Sequence, residues 1–158
     1  MIESSKRSAQ LRALLKRGTV VMPGAINALS ARQIERAGFG AMYLSGAVLS
    51  NSVGGVPDIG LMTLGESRDH SAHIAGVTSI PILADADTGY GGPENAARTV
   101  RVLEQAGVSA IHLEDQEFPK KCGHLDGKKL VPVDEFCLKI AAAVEAKASP
   151  DFVVLART

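Results

Sequence analysis

Short apolar segments alternate with helical patterns along the whole chain, and this alternation restricts the fold more than any other feature. Strands are predicted at residues 20–22, 41–44, 80–84, 110–113 and 152–156, and helices at 8–17, 28–37, 63–75, 93–106 and 134–147. Strands that are joined through helices run parallel, because the crossover returns each strand in the same direction. The pattern therefore predicts one parallel sheet, either doubly wound or closed into a barrel.

An internal repeat supports this prediction. The same residue types recur at equivalent positions of two units, where Glu35, Ala37, Gly38, Ala41 and Leu44 match Glu104, Ala106, Gly107, Ala110 and Leu113. The glycine-rich phosphate signatures of doubly wound folds do not follow the predicted strands, which favours a (β/α)8 barrel of the TIM type. Because a complete barrel has eight strands and about 250 residues, residues 1–158 are expected to form one domain, the first five strands of an incomplete barrel.

The charge balance and the cysteine content restrict the partners and the cellular location that are expected for the chain. Seventeen basic and seventeen acidic residues cancel, so neither nucleic acid nor an anionic membrane is expected as a partner. The two cysteines form no CxxC pair, which favours a reducing, cytoplasmic location. The polar N-terminus lacks the apolar core of a signal peptide, and no apolar run approaches the roughly 20 residues that span a bilayer.

Polar side chains gather where the predicted strands end. In a barrel, functional groups lie at the carboxyl ends of the strands, and alternate residues of a strand share one face. If these faces point inward, one mouth of the barrel holds Tyr43, Ser45, Asp85, Asp87, Glu114 and Arg157. This end of the predicted barrel is therefore the candidate active site.

Three carboxylates in this mouth form a candidate metal site. Asp85, Asp87 and Glu114 offer oxygen ligands with no soft ligand nearby, which suits Mg²⁺, with Mn²⁺ as a second cation of similar preference. Arg157 can hold a carboxylate through two parallel hydrogen bonds. The alternatives are that the acids cap the following helices or meet solvent, and that Arg157 pairs with one of them.

The segment Lys120-Lys121-Cys122-Gly123-His124 places a thiol between lysines and a histidine. Nearby positive charge favours the thiolate, so the pKa of the Cys122 thiol can fall toward neutrality. Gly123 lets the backbone turn without a Cβ clash. The alternative is a solvated basic loop with an incidental cysteine.

Two further residues are interpreted as structural. Cys137 lies at helical spacing among Phe136, Ile140 and Val144 and is predicted to be a small core residue. Cys122 is therefore expected to react with alkylating agents faster than Cys137. His112 lies in the middle of a predicted strand and is interpreted as a satisfied interior group rather than a catalyst.

Taken together, these motifs resemble the isocitrate lyase and phosphoenolpyruvate mutase superfamily. Residues 120–125 are similar to its Lys-Lys-Cys-Gly-His-Leu signature. Other segments of the superfamily occur in the same order, namely Tyr43-Leu-Ser45-Gly46, Pro57-Asp58, Asp85-Ala-Asp87-Thr-Gly89, Glu114-Asp115-Gln116 and Ala156-Arg157-Thr158. The resemblance covers residues 10–158 and points to the 2-methylisocitrate lyase branch.

The resemblance implies a (β/α)8 barrel that cleaves 2-methylisocitrate to pyruvate and succinate with the help of Mg²⁺. It implies that Asp85, Asp87 and Glu114 hold the cation, partly through water. It assigns catalytic roles to Cys122, as the acid–base, and to Tyr43 and His124, and substrate contacts to Ser45, Gly46, Asp58, Lys120, Gly123, His124 and Arg157. The implied partner is a small di- or tricarboxylate, and the implied assembly is a homotetramer.

Several alternatives stay open at the level of sequence. Isocitrate lyase, dimethylmalate lyase and oxaloacetate hydrolase activities belong to the same superfamily, whereas its phosphoenolpyruvate mutase branch usually lacks the Cys-Gly-His run. Ala47 stands where several relatives have glycine, which bears on the substrate contacts. The alternative from another class is a catalytically inactive half-barrel. Five strands with two free edges are expected to associate rather than remain an active monomer.

Overall fold

The computed structural model of the protein describes residues 2–158, with side chains from Ser5 onward. The helices are α1 Ile2–Arg17, α2 Ala28–Arg36, α3 Gly46–Val48, α4 Leu64–Ala75, α5 Pro93–Gln105 and α6 Val133–Glu145, and a π-helix, π1, spans Leu49–Gly54. The strands are β1 Met42–Leu44, β2 Ile82–Asp85, β3 Ala110–Glu114 and β4 Val153–Arg157. No helix in the described part of the chain is long and apolar enough to cross a membrane.

The strands form one parallel sheet in the order β1-β2-β3-β4, which confirms the predicted α/β fold. In its register, Met42 lies beside Ile82, Leu83 beside Ala110, and Ala110 beside Val153. Every residue of β3 is buried, and this strand lies between β2 and β4 in the sheet. The fully buried core side chains between sheet and helices include Ile74, Ile82, Val100, Leu103, Ile111 and Phe152.

The strand predicted at residues 20–22 does not form, so within residues 2–158 the sheet has four strands and the prediction of five is wrong. The chain makes only an isolated parallel bridge between Gly24 and Tyr43. There the Ala25 N–H donates to the Tyr43 carbonyl, and the Tyr43 N–H donates to the Pro23 carbonyl. Pro23 has no N–H group, so the ladder cannot extend further along this segment.

The segment between β1 and α4, for which no element was predicted, is partly helical. Helix α3 begins directly after Ser45, whose hydroxyl accepts a hydrogen bond from the Val48 N–H at 3.4 Å, and π1 follows α3 without a break. Helix α4 begins with a capping box between Thr63 and Glu66. The Ser45 hydroxyl therefore serves as a helix cap, which the sequence analysis did not anticipate.

Helix α6 turns Cys137 toward solvent, so the prediction that this cysteine lies in the core is wrong. Phe136, Ile140 and Ala143 pack against the core, and their spacing of three and four residues defines one face of the helix. Cys137 lies one position further round the helix and is exposed, whereas Cys122 is half-buried. The expectation that Cys122 is alkylated faster than Cys137 therefore has no basis in accessibility.

At the amino edge of the sheet, where the strands begin, a buried arginine binds backbone carbonyls. Arg7 of α1 is 7% exposed. Its guanidinium donates to the carbonyls of Ala75 at 3.0 Å, Thr78 at 2.6 Å and Gly107 at 3.4 Å. Helix α1 begins at Ile2 rather than at the predicted residue 8, and its longer course includes this arginine.

The internal repeat has a structural basis at the same edge. Glu35 of α2 accepts hydrogen bonds from the Ser79 N–H at 3.0 Å and from the Ser79 hydroxyl, in the loop before β2. Glu104 of α5 accepts from the N–H groups of Ala148 at 2.8 Å and Ser149 at 2.7 Å, in the loop before β4. Each repeated glutamate therefore joins its helix to the loop that enters a later strand.

Candidate active site

Polar side chains from all four described strands meet at the carboxyl edge of the sheet. They are Tyr43 of β1, Asp85 of β2, His112 and Glu114 of β3, and Arg157 of β4. The register places Asp85 beside His112 and Glu114 beside Arg157. Ligands of parallel α/β sheets bind at this edge, because loops and strand ends leave room for them there.

Asp85 lies at the centre of this group and is buried. Its Oδ2 atom accepts from the Gly46 N–H at 3.0 Å and from the Tyr43 hydroxyl at 3.3 Å, and its Oδ1 atom accepts from the Asp87 N–H at 3.1 Å. A Cβ atom at Gly46 would lie 3.0 Å from Asp85 Oδ2. Glycine at position 46 therefore permits the close approach that orients the carboxylate.

His112 and Tyr43 form a buried pair beside Asp85. The Tyr43 hydroxyl lies 2.7 Å from His112 Nε2, and the two rings stack with centroids 5.7 Å apart. Burial lowers the pKa of His112 against the opposing charge of Asp85, and burial together with Asp85 raises the pKa of Tyr43. Both rings are therefore neutral near pH 7. His112 Nδ1 is buried without a hydrogen-bond partner among the described residues, so His112 is not the satisfied interior group that the sequence suggested.

Lys120 joins two carboxylates from different loops. Its Nζ atom lies 2.5 Å from Asp58 Oδ1 and 2.6 Å from Asp87 Oδ1, and the side chain is 3% exposed. Burial alone would lower the pKa of Lys120, but the two carboxylates outweigh burial and raise this pKa above its ordinary value. In this arrangement Lys120 binds carboxylates of the protein, rather than standing open toward a substrate.

Asp87 occupies a strained and electrostatically unfavourable position. Its φ angle is +47°, in the left-handed region that residues other than glycine seldom adopt. Burial and the neighbouring Asp85 charge raise the pKa of Asp87 to about 6, against the opposing effect of Lys120. Strained backbone and a perturbed pKa at one residue are typical of functional sites.

Glu114 is held through both of its carboxylate oxygens. Its Oε1 atom accepts from Arg157 Nη1 at 2.7 Å, and its Oε2 atom accepts from Gln116 Nε2 at 2.5 Å. The pairing of Arg157 with an acid, which the sequence left as an alternative, is therefore observed. The contact uses one of the five N–H donors of the guanidinium, and the Arg157 side chain is half exposed.

The loop that carries the Cys-Gly-His run lies against these groups. The Cys122 N–H donates to the Asp58 carbonyl at 3.0 Å. A Cβ atom at Gly123 would lie 3.2 Å from Arg157 Nη2, so the loop backbone closely approaches the guanidinium. His124 is exposed. The structure thus brings Cys122 and Gly123 to the site and leaves the His124 side chain outside the buried cluster.

Two residues that the sequence analysis did not assign to the site belong to the buried cluster. They are His112 and Gln116, which are 6% and 4% exposed. Both alternate with Glu114 along an extended chain, so the rule that every second residue shares a face would have included them. His112 shares the face of Glu114 within β3, although its position in the middle of the strand favoured a structural interpretation, and Gln116 continues this face beyond the end of β3.

One ligand atom from each of Asp85, His112 and Glu114 lies within 4.8 Å of the others. This group contains two members of the predicted metal site and has His112 in place of Asp87, whose carboxylate pairs with Lys120. Carboxylate oxygens and an imidazole nitrogen are donors for divalent cations. The geometry of the described residues therefore supports a candidate cation site at the carboxyl edge.

The fold and the site define an α/β protein with a parallel sheet and a compact cluster of carboxylates at its carboxyl edge. A family model described as phosphoenolpyruvate phosphomutase matches residues 11–158. The chain belongs to this family, which confirms the superfamily that its motifs predicted.

Individual relatives carry several different names. The chain is 50% identical over 158 residues to probable 2-methylisocitrate lyase 2 of Corynebacterium glutamicum, covering 99% of this chain and 51% of that protein. It matches a structure of oxaloacetate acetylhydrolase with the inhibitor 3,3-difluorooxalacetate at 42% identity and a TM-score of 0.91, covering 98% of this chain and 54% of that one. A complex of phosphonopyruvate hydrolase with oxalate and Mg²⁺ matches at 42% identity and a TM-score of 0.86, with coverages of 96% and 52%. The chain therefore spans about half the length of these relatives.

Proposed function

We propose that this chain forms the first part of a (β/α)8-barrel lyase that cleaves a carbon–carbon bond of a 2-hydroxy di- or tricarboxylate. The proposed substrate is 2-methylisocitrate, and the proposed products are pyruvate and succinate. The observation that carries the proposal is the meeting of Asp85, His112 and Glu114 within 4.8 Å, beside Arg157. The 50% identity to a probable 2-methylisocitrate lyase supports this choice of substrate.

The donor set at the carboxyl edge fits a divalent cation, which we propose to be Mg²⁺ or Mn²⁺. Asp85, Asp87 and Glu114 offer carboxylate oxygens, the ligands that these cations prefer. His112 Nδ1 is a buried polar atom without a partner in residues 2–158, the kind of group that a bound ligand or water satisfies. When bound, the cation would supply positive charge to the 2-hydroxy acid end of the substrate and lower the pKa of its hydroxyl.

Residues in and near the Cys-Gly-His run are proposed to stabilise the negative charge on the leaving fragment and to transfer the proton. Arg157, the Gly123 backbone and His124 are proposed to bind the carboxylate on which negative charge develops as the bond breaks. Cys122 is proposed to donate a proton to the carbon that carries the leaving electron pair. The support is that Gly123, next to Cys122, closely approaches Arg157.

Other predicted site residues are proposed to shape the pocket. Tyr43 and Asp58 would line it, and Ser45 and Gly46 would contact the substrate from the start of α3. Lys120 is proposed to act indirectly, because its ammonium group already binds Asp58 and Asp87. It would hold these two carboxylates in place and offset the repulsion between them, since removal of a buried cation leaves like charges unpaired.

Hydrolysis of oxaloacetate is the second candidate function. The similarity to oxaloacetate acetylhydrolase, with a TM-score of 0.91, favours this alternative. Both reactions break a carbon–carbon bond next to an oxygen-bearing carbon that a cation can polarise, so the same carboxylates suit either reaction. Product analysis separates them, since the lyase releases pyruvate and the hydrolase releases oxalate.

The proposed function is tested by measuring product release in the presence of Mg²⁺. The purified chain is assayed alone and as a chimera in which it replaces the matching half of the Corynebacterium relative. We expect pyruvate from 2-methylisocitrate, with smaller rates on isocitrate, dimethylmalate and oxaloacetate. Cys122→Ser should lower turnover on the order of 10²–10⁴-fold, while Cys137→Ser, on the exposed face of α6, should leave it unchanged. A folded chimera that cleaves none of these substrates would contradict the proposal.

A further inference from the structure

The side chain of Gln116 makes three hydrogen bonds in a buried position. Its Nε2 atom donates to Glu114 Oε2 at 2.5 Å and to the Lys121 carbonyl at 2.9 Å, and its Oε1 atom accepts from the Lys121 N–H at 3.1 Å. Only 4% of the residue is exposed. One amide group therefore joins a carboxylate of the candidate cation site to the backbone next to Cys122.

The pattern requires a side chain that both donates and accepts. Two acceptors, the Glu114 carboxylate and the Lys121 carbonyl, face Nε2, and one donor, the Lys121 N–H, faces Oε1. A carboxylate has no donor, so glutamate at position 116 would repel Glu114 and leave the Lys121 carbonyl without its partner. Among side chains of this length, the amide alone satisfies all three groups.

The segment of residues 117–128, here called the Cys122 loop, is closed at its base by bonds that do not involve the Gln116 side chain. The Glu117 N–H donates to the Lys129 carbonyl at 2.9 Å, and the Val131 N–H donates to the Asp115 carbonyl at 2.8 Å. These backbone pairs fix where the loop begins and ends. The bonds of the Gln116 side chain instead reach the part of the loop next to Cys122.

The part of the loop around Cys122 is anchored on two sides. Lys120 and the Cys122 N–H bind Asp58, on the side of the loop before α4. Gln116 binds Lys121 through its backbone, on the side of Glu114. The Gln116 side chain therefore links the backbone next to Cys122 to Glu114, whereas Lys120 links the same loop to Asp87 through its side chain.

We infer that Gln116 is a positioning residue that sets the location of Cys122 relative to Glu114. The inference rests on the proposed function, in which Cys122 transfers a proton and Glu114 holds a cation. It has two consequences. First, loss of the amide makes the part of the loop around Cys122 more mobile, while the base of the loop stays closed. Second, a cation that binds at Glu114 no longer restricts the motion of this part of the loop.

The first consequence is tested through the reactivity of the two cysteines. Iodoacetamide labelling is followed by mass spectrometry, and the rate at Cys122 is divided by the rate at Cys137, the exposed internal reference. Gln116→Ala and Gln116→Glu should each raise this ratio on the order of tenfold, because the hydrogen bonds that hold the loop are lost. The control is Gln105→Ala, at an exposed position of α5, which should leave the ratio unchanged.

Hydrogen exchange measured on the same variants separates positioning from folding. Residues 119–125 should exchange faster in Gln116→Ala, while the amides of β2 and β3 keep the protection of the parent. An unchanged labelling ratio would overturn the inference. Loss of protection throughout the sheet would also overturn it, since Gln116 would then be a folding residue.

The second consequence is tested by adding Mg²⁺, which distinguishes this inference from the proposed function. In the parent, Mg²⁺ should slow the labelling of Cys122. In Gln116→Ala, Mg²⁺ should still raise the melting temperature but no longer slow the labelling. Equal protection of Cys122 by Mg²⁺ in both proteins would overturn the coupling. If Mg²⁺ does not bind the parent, the proposed cation site is wrong. The labelling ratio measured without Mg²⁺ still tests whether Gln116 positions the Cys122 loop.

Discussion

The two edges of the sheet bury charged side chains in different ways. At the amino edge, Arg7, Glu35 and Glu104 bind carbonyl and N–H groups of the backbone. These partners cannot turn away or be replaced by a ligand, because they belong to the loops that enter the strands. These three side chains of the amino edge therefore contribute to stability by joining the helices to the loops between the elements.

At the carboxyl edge, charged side chains bind mainly other side chains. Asp87 pairs with Lys120, Glu114 pairs with Arg157, and Asp85 contacts both Tyr43 and His112. Side-chain partners can rotate and exchange for a substrate or a cation. Like charges in one site also reduce stability, as is common where function requires it. Charged side chains therefore stabilise the fold at the amino edge, whereas at the carboxyl edge they remain available to bind a substrate or a cation.

The largest difference is expected from one substitution made at each edge. Glu104→Gln should reduce the free energy of unfolding by about 2–3 kcal/mol, because Ala148 and Ser149 donate to different oxygens of Glu104, and the NH2 group that replaces one oxygen cannot accept a hydrogen bond. Glu114→Gln should change it by less than about 1 kcal/mol, since the lost pair with half-exposed Arg157 is offset by reduced repulsion among the carboxylates. Urea unfolding of both variants measures this difference.

The order of the two variants should be reversed when the response to a cation is measured instead of stability. Glu104→Gln is expected to keep the cation response of the parent, and Glu114→Gln is expected to weaken it. Equal losses of stability for both variants would mean that the two edges do not differ in the way described.

A smaller effect is expected from pH at the carboxyl edge. The raised pKa of Asp87, about 6 against an ordinary value of 3.8, means that the folded protein holds this proton more tightly than the unfolded chain does. Stability should therefore fall as pH rises from about 4 to about 6, by roughly 3 kcal/mol at most, at 1.36 kcal/mol per pKa unit. Asp87→Asn should gain stability relative to the parent over this range. Parallel pH profiles of the two proteins, measured by denaturant unfolding, would contradict the raised pKa.

The smallest effect is expected from adding one methyl group at the start of α3. Gly46→Ala should reduce the free energy of unfolding by about 1 kcal/mol, because its Cβ atom would lie 3.0 Å from Asp85 Oδ2. The displaced carboxylate should also bind a cation more weakly. Gly65→Ala, at a position where a Cβ would meet only the Thr63 hydroxyl at 3.7 Å, is the control and should stay close to the parent. A Gly46→Ala variant with unchanged stability and cation affinity would show that this contact does not orient Asp85.

The sequence predicted the elements that repeat and the residues that follow a simple periodicity. The parallel sheet follows from alternating strands and helices, and the meeting of Asp85 and Glu114 follows from their positions at the ends of adjacent strands. The repeated Glu35 and Glu104 were visible as a pattern, but their backbone partners were not. Those partners lie 44 and 45 residues further along the chain, beyond any local rule.

The sequence did not predict the features that depend on contacts between distant parts of the chain. The pairing of Lys120 with Asp58 depends on two loops that are 62 residues apart. The exposure of Cys137 depends on which face of α6 meets the core, because apolar residues occur on more than one face of this helix. The segment at residues 20–22 has strand composition, but Pro23 removes the donor that a longer ladder requires.

The most direct test of the difference between the edges is a thermal unfolding series with Mg²⁺. The parent, Asp85→Asn and Glu104→Gln are melted with increasing Mg²⁺, since a cation that binds the folded state stabilises it by about 2.7 kcal/mol at a hundred times its dissociation constant. We predict that the parent and Glu104→Gln gain melting temperature in parallel, the latter from a lower starting value, and that Asp85→Asn does not respond. A parent that does not respond, or an Asp85→Asn variant that responds as the parent does, would contradict a cation site at the carboxyl edge.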